Sequence, residues 1–172
     1  IRQILTEPNE ILRKKSLPVE KVDKDVQILM DDMLETMYAA PGIGLAAIQV
    51  GIPKRVIVLD IEQKEGNKKP LFLVNPEIIQ KSKNLSTYEE GWLSLPGQFA
   101  EIDRPDKCYV KYLDYYGQPK EIKAEGMLAT CIQHEMDHLE GILFIDYLSK
   151  LKKTMIIKKL SKQKKAIERI VV

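Results

Sequence analysis

The residues best placed to do chemistry are Gln133-His134-Glu135-Met136-Asp137-His138-Leu139-Glu140-Gly141, which contain both histidines of a 172-residue chain. Two histidines four apart with a glutamate after the first form the helix-borne pattern of metal hydrolases. Four residues make little more than one helical turn, so both imidazoles reach one ion, and Glu135, about 100° round the helix, is left to move a proton. The alternative is a charged helix with two surface histidines, and the lack of histidine elsewhere argues against it.

A catalytic site of this kind normally uses about three protein ligands and one open position. The metzincin frame H-E-x-x-H-x-x-G-x-x-H keeps its glycine at Gly141 but has Phe144 at the third histidine. A thermolysin-like downstream glutamate is also missing, because the only acids after Glu140 are Asp146 and Glu168. A third ligand must therefore come from upstream.

The elements that position this stretch read as one domain over 1–172, with 44% apolar and 30% charged residues. No apolar run approaches the ~18 residues of a membrane span and no signal-peptide pattern opens the chain, so a cytoplasmic protein with no membrane partner is expected. Cys108 and Cys131 form no disulfide framework, which agrees with a reducing compartment. From Ser149 to Val172 nine basic residues face one acid, Glu168, in a chain of net charge +2, so an acidic body carries a basic tail.

Along the chain, an irregular arm with a turn at Glu7-Pro8-Asn9 precedes a helix that Asp23 or Asp25 can cap. Val26, Leu29, Met30, Met33, Leu34, Met37 and Tyr38 form its apolar stripe, and Pro41-Gly42 ends it. Gly42 to Gln49 reads as a tight turn packed closely on a neighbour, and it is no dinucleotide fingerprint, since it follows a helix and lacks the third glycine. Strands are expected at Arg55–Asp60, Leu71–Val74, Glu77–Gln80, Cys108–Leu113 and Glu121–Ala124, with a further segment through Glu89–Gly97 and turns at Glu65-Gly66-Asn67 and Tyr116-Gly117. Short strands without intervening helices predict antiparallel sheets. The motif helix starts near Gly126 and Gly141 closes it; a last amphipathic helix runs from about 149 to 172, with Leu151, Met155, Ile156 and Leu160 on its apolar side.

Three ordered stretches resemble the peptide deformylases of bacterial type. G-x-G-x-A-A-x-Q stands at Gly42 to Gln49, Q-H-E-x-D-H at Gln133 to His138, and E-G-C-x-S at Glu90-Gly91-Trp92-Leu93-Ser94 with tryptophan for cysteine. The resemblance implies an α+β fold in which antiparallel sheets wrap the metal-binding helix, with an N-terminal helix and a basic C-terminal helix. It implies an Fe²⁺ ion, or Zn²⁺ or Ni²⁺ in its place, and removal of the formyl group from N-formylmethionine on nascent peptides. His134 and His138 match metal ligands, and Glu135 matches the general base that passes a proton to the leaving amine. Gln49 and the Leu93 N–H match oxyanion donors. Ile43, Gly44, Thr130 and Cys131 match positions around the methionine pocket and substrate backbone.

Trp92 departs from the pattern, because an indole N–H is a donor and cannot replace a thiolate ligand. Cys131, one turn before His134, and Glu90 are the candidate stand-ins, with water as the alternative. The larger ring must swing away from the histidines or intrude on the site. A weak or inactive deformylase-like protein that binds nascent peptides is thus the rival reading, and an H-E-x-x-H peptidase is a third. The lysine-rich tail predicts docking to the ribosome, with no DNA partner.

Overall fold

In the computed structural model, β2 (Val56–Leu59) is buried on both sides, and the alternation along it sets out the layers. Val56 and Val58 join the apolar cluster of α1 (Lys24–Ala39), whereas Ile57 and Leu59 join that of α2 (Gly126–Leu139). Period-two alternation sends successive side chains to opposite faces, so a continuous apolar run is what a strand between two helices requires. The structure describes residues 1–63, 67–143, 146–147 and 168–172.

Five strands form the sheet between the helices in the order β1-β2-β3-β6-β7, all antiparallel: β1 is Gly44–Ala46, β3 Leu71–Lys81, β6 Lys107–Leu113 and β7 Pro119–Glu125. A second sheet, β5-β4-β8, contacts α2 through β4 (Leu85–Trp92) and β5 (Leu95–Pro105). Its short third strand, β8 (Arg169–Val171), runs parallel to β4. The architecture is the expected α+β arrangement of sheets wrapped around the motif helix.

Helix α1 follows its sequence signals. The Asp23 carboxylate accepts the Val26 N–H at 3.0 Å, and of the two candidate caps it is the one used. Met30, Met33 and Met37 are fully buried, so truncating any one to alanine costs about 2–5 kcal/mol. Helix α2 stops in a Schellman motif: Gly141 N–H donates to the His138 carbonyl at 3.2 Å and Ile142 N–H to that of Asp137 at 3.0 Å, with Gly141 at φ +72°. A Cβ on Gly141 would lie 2.2 Å from the Arg13 carbonyl oxygen, so this position excludes any side chain.

Within the stretch Gly42 to Gln49 that reads as a tight turn, Gly44–Ala46 is strand β1 and Ala47–Val50 a 3-10 helix, and three further segments differ from expectation. The separate strands expected at 71–74 and 77–80 are one strand, β3, whose pairing with β6 shifts register around Asn75-Pro76, where Asn75 takes φ +49°. Residues 95–105, where no full strand is predicted, form β5; the hairpin turn from β4 falls at Leu93-Ser94, within the segment expected to be extended. The turn at Glu65-Gly66 and most of the helix expected from 149 lie outside the described residues, but the end of that helix is corrected: 169–171 are strand β8. Their partner, β4, is nearly eighty residues away, beyond any local pattern.

Candidate active site

Helix α2 buries every residue from Ala129 to Glu135, and His138 with them, so this part of the helix is enclosed on all sides. The nearest candidate ligand atoms of His134, Glu135 and His138 lie within 4.8 Å of one another, the one such cluster among the described residues. Nε2 of His134, both ring nitrogens of His138 and both Glu135 oxygens are buried without a hydrogen-bond partner among those residues. Leaving buried polar groups unpaired costs on the order of 1–3 kcal/mol each, so the cluster is built for an occupant that supplies the missing interactions.

Burial sets the protonation states. Desolvation lowers the His134 pKa, which the hydrogen bond to Glu90 partly restores; desolvation drives His138 well below the ordinary imidazole value. Both shifts favour the neutral imidazole, the form that can coordinate an ion. Desolvation pushes Glu135 well above the usual carboxylate range, the direction a general base needs.

The three sequence motifs interlock here. Oε1 of Glu90, on β4, meets Nδ1 of His134 at 2.6 Å, so Nδ1 carries the proton and the Nε2 lone pair is free to bind an ion. Gly44, on β1, packs on Glu135: a Cβ there would lie 2.9 Å from Oε1 and 3.0 Å from Cys131 Sγ. Gln49 is buried, its Oε1 accepting the Ala46 N–H at 3.0 Å and its Nε2 donating to Ser94 Oγ at 3.2 Å.

Other expected site residues have different surroundings. The Leu93 N–H donates to the Val172 carbonyl at 2.8 Å and the Ile43 N–H to that of Val171 at 3.0 Å. Cys131 Sγ turns toward the Ile43 carbonyl at 3.9 Å, and burial holds its thiol well above the usual value. It stands outside the His134-Glu135-His138 cluster. Thr130 is buried on the same helix, its hydroxyl without a partner among the described residues.

A charged chain behind His134 has no counterpart in the sequence reading. Arg104, on β5, grips Glu90 through two nitrogens at 2.8 and 3.0 Å and reaches Asp137 Oδ2 at 2.8 Å, while the Tyr147 hydroxyl donates to the same Asp137 oxygen at 2.5 Å. Burial alone would raise the Glu90 pKa, but the bonds and charges of His134 and Arg104 hold it below the ordinary range. One signal was available: Ala100, Ile102 and Arg104 alternate on the buried side of β5, so a charge at the third position needs a buried partner.

Trp92 is buried against both histidines, its ring centroid 4.6 Å from that of His134 and 4.5 Å from that of His138. The indole has thus not swung away from the two histidines. The buried, unpartnered imidazole nitrogens fit a metal ion, yet tryptophan stands where the third protein ligand is expected.

A buried His-Glu-x-x-His helix clasped by two sheets, with a glycine-rich strand and a hairpin turn locked onto it, defines a metallohydrolase of the deformylase type. The polypeptide deformylase family model matches residues 1–154. A peptide deformylase of Pelagibacter ubique (strain HTCC1062) is 66% identical over 164 residues, covering 95% of each chain. One of Phenylobacterium zucineum (strain HLK1) is 57% identical over 166 residues, 96% of this chain and 98% of that one. The crystal structure of peptide deformylase from Ehrlichia chaffeensis has a TM-score of 0.83 at 44% identity, covering 94% of this chain and 96% of that one. The chain belongs to the peptide deformylase family and is an enzyme of that type. No helix among the described residues is long and apolar enough to cross a membrane.

Proposed function

We propose that this enzyme removes the formyl group from N-formylmethionine on nascent peptides in the cytoplasm, with His134 and His138 holding an Fe²⁺ ion or Zn²⁺ or Ni²⁺ in its place. The observation that carries this reading is the buried cluster of His134, Glu135 and His138, in which His134 Nε2, both His138 ring nitrogens and both Glu135 oxygens have no hydrogen-bond partner among the described residues. When bound, such an ion acidifies the attacking water and polarises the formyl carbonyl. Glu135 takes the proton and delivers it to the leaving amine. Gln49 and the Leu93 N–H meet the developing oxyanion, and Ile43, Gly44, Thr130 and Cys131 shape the methionine pocket and backbone groove. Formate release from a formyl-methionyl peptide, with metal content measured on the same anaerobic preparation, tests it. Absence of formate from both the parent and its Trp92→Cys variant rejects the reading.

The packing of Trp92 on both imidazoles favours a second reading, in which the chain binds formylated peptides but turns them over slowly. Two protein ligands hold an ion less tightly than three. Metal retained through dialysis at one ion per chain, with turnover unchanged by Trp92→Cys, rejects this alternative.

The lysine-rich segment suits docking on ribosomal RNA or protein, which would hold an acidic body beside emerging chains. Replacing Lys158, Lys159, Lys162 and Lys164 by glutamate should weaken ribosome co-sedimentation and flatten its salt dependence. Unchanged binding at low salt removes the idea.

A further inference from the structure

We propose that Arg169–Val172 is a tethered competitor for the peptide groove, seated where a substrate strand must lie. This rests on the deformylase reading of the groove given above. The segment pairs with β4 in register, Arg169 opposite Glu89, Ile170 opposite Glu90 and Val171 opposite Gly91. On the β4 side Val172 N–H donates to the Gly91 carbonyl at 2.9 Å and Leu93 N–H to that of Val172 at 2.8 Å, and on the other wall Ile43 N–H donates to the Val171 carbonyl at 3.0 Å. The strand therefore satisfies backbone groups on both sides of the groove. Without it, those groups form open edges of the kind that capture an extended peptide.

Side chains reinforce the fit. Val172 is wholly buried in the apolar cluster that contains Cys131 and Ile132, and Ile43 packs against that cluster. Ile170 is also buried, and Arg169 holds the outer end through Glu89 at 2.5 Å and the Phe99 ring at 3.9 Å. Ile43, Leu93 and Cys131 are the residues assigned above to the substrate. A peptide that uses them has to displace the strand.

Chain polarity separates occupant from substrate. A peptide presenting an N-terminal formyl group to His134, Glu135 and His138 starts at the site and runs away from it. The strand runs the other way, from Glu89 toward the Leu93 turn beside Trp92, and brings a carbonyl to the Leu93 N–H. It fills the groove without offering a bond to cleave. Because it is tethered, its effective concentration is on the order of mM, and apparent peptide affinity falls by the fraction of chains with the groove closed.

The test uses the full chain in a Glu135→Gln background, so that peptide is not consumed. Val172→Asp puts a carboxylate into an apolar cluster, and Arg169→Ala is a milder variant that removes only the exposed anchor. Two quantities are read: amide hydrogen exchange at Ile43 and Leu93, and affinity for a formyl-Met-Ala-Ser peptide with a C-terminal fluorophore, by anisotropy. Expected are protected amides in the parent, faster exchange in both variants, and peptide binding about 10-fold tighter in Val172→Asp for a groove closed in about 90% of parent chains. The free pentapeptide Glu-Arg-Ile-Val-Val should then compete with the labelled peptide in that variant. Unprotected parent amides, exchange that Val172→Asp leaves unchanged, or equal peptide affinity across the three chains overturns this inference alone. Failure of every chain to bind the peptide overturns the deformylase reading of the groove as well.

Discussion

Nδ1 of His134 lies 2.6 Å from Oε1 of Glu90, and Arg104 holds both oxygens of that carboxylate from behind. The histidine is thereby fixed in orientation and tautomer by a strand of one sheet, and the carboxylate by another strand of the same sheet. Asp137 and Tyr147 complete the chain on the far side of Arg104, so the helix that bears His134 and His138 also helps hold the support of His134.

Glu90→Gln keeps the shape and an acceptor for the His134 N–H but removes the charge that Arg104 and His134 share. Partners that orient metal-binding histidines are typically worth about 10–100-fold in metal affinity. A loss in that range is expected in a chelator competition assay, with far-ultraviolet circular dichroism unchanged. Equal affinity would show that Glu90 serves folding alone.

Glu135→Gln should lower formate release by about 10²–10⁴-fold while metal content stays level, the usual reach of general acid–base catalysis. A loss under threefold would remove the proton-transfer role. Stability gives an independent check on the metal-free chain. Burial raises the Glu135 pKa in the folded state, so its contribution is present below the unfolded carboxylate value and is lost as pH rises through the folded one. The parent should therefore lose stability over that rise relative to Glu135→Gln, as read by urea midpoints from pH 5 to pH 9.

Much of this framework is legible in the sequence because it is local. The stripe on α1, the apolar run of β2, the alternation of β6 and the His-Glu-x-x-His spacing each carry their own period. What escapes is held by distant partners. β5 opens with Leu95-Pro96-Gly97 and turns a charged Arg104 inward, so its alternation does not read as apolar against polar until Glu90 and Asp137 are seen beside it. β8 continues a lysine-rich stripe in sequence, and its strand character comes from pairing with β4. Asn75-Pro76 reads as a break, yet the kinked strand runs on because register shifts absorb it.

Gly141→Ala tests whether the helix end locks the motif in place. Its backbone has φ +72°, and the added Cβ would meet the Arg13 carbonyl oxygen at 2.2 Å, so both conformation and space oppose the change. A destabilisation of at least ~2 kcal/mol is expected, which for a chain of this size lowers Tm by at least ~4 °C. Thermal melts of the metal-free protein measure it, and a shift under 1 °C would mean that the Arg13 arm moves aside freely.

Trp92→Cys tests the central departure from the family pattern. The indole packs on both imidazoles and belongs to a small cluster with Ala100 and Ile102, so it contributes packing to the metal-free chain, and its N–H offers an ion no lone pair. Shortening it to cysteine removes packing worth about 3–5 kcal/mol for a large aromatic, and the metal-free variant should melt below the parent. A thiolate then becomes available beside His134 and His138, and an ion that binds only the folded state adds stability in proportion to its affinity. Tm of the variant should consequently rise with Ni²⁺ or Zn²⁺ far more than Tm of the parent. Formate release should rise with it, since a displacement of about 1 Å near the reacting atoms costs on the order of 10²-fold and the Leu93 donor adjoins the substituted residue. If the parent already holds one ion per chain through dialysis, and its melting responds to metal as strongly as the variant's, then the indole leaves the ligand sphere intact and Trp92 does not impair the enzyme.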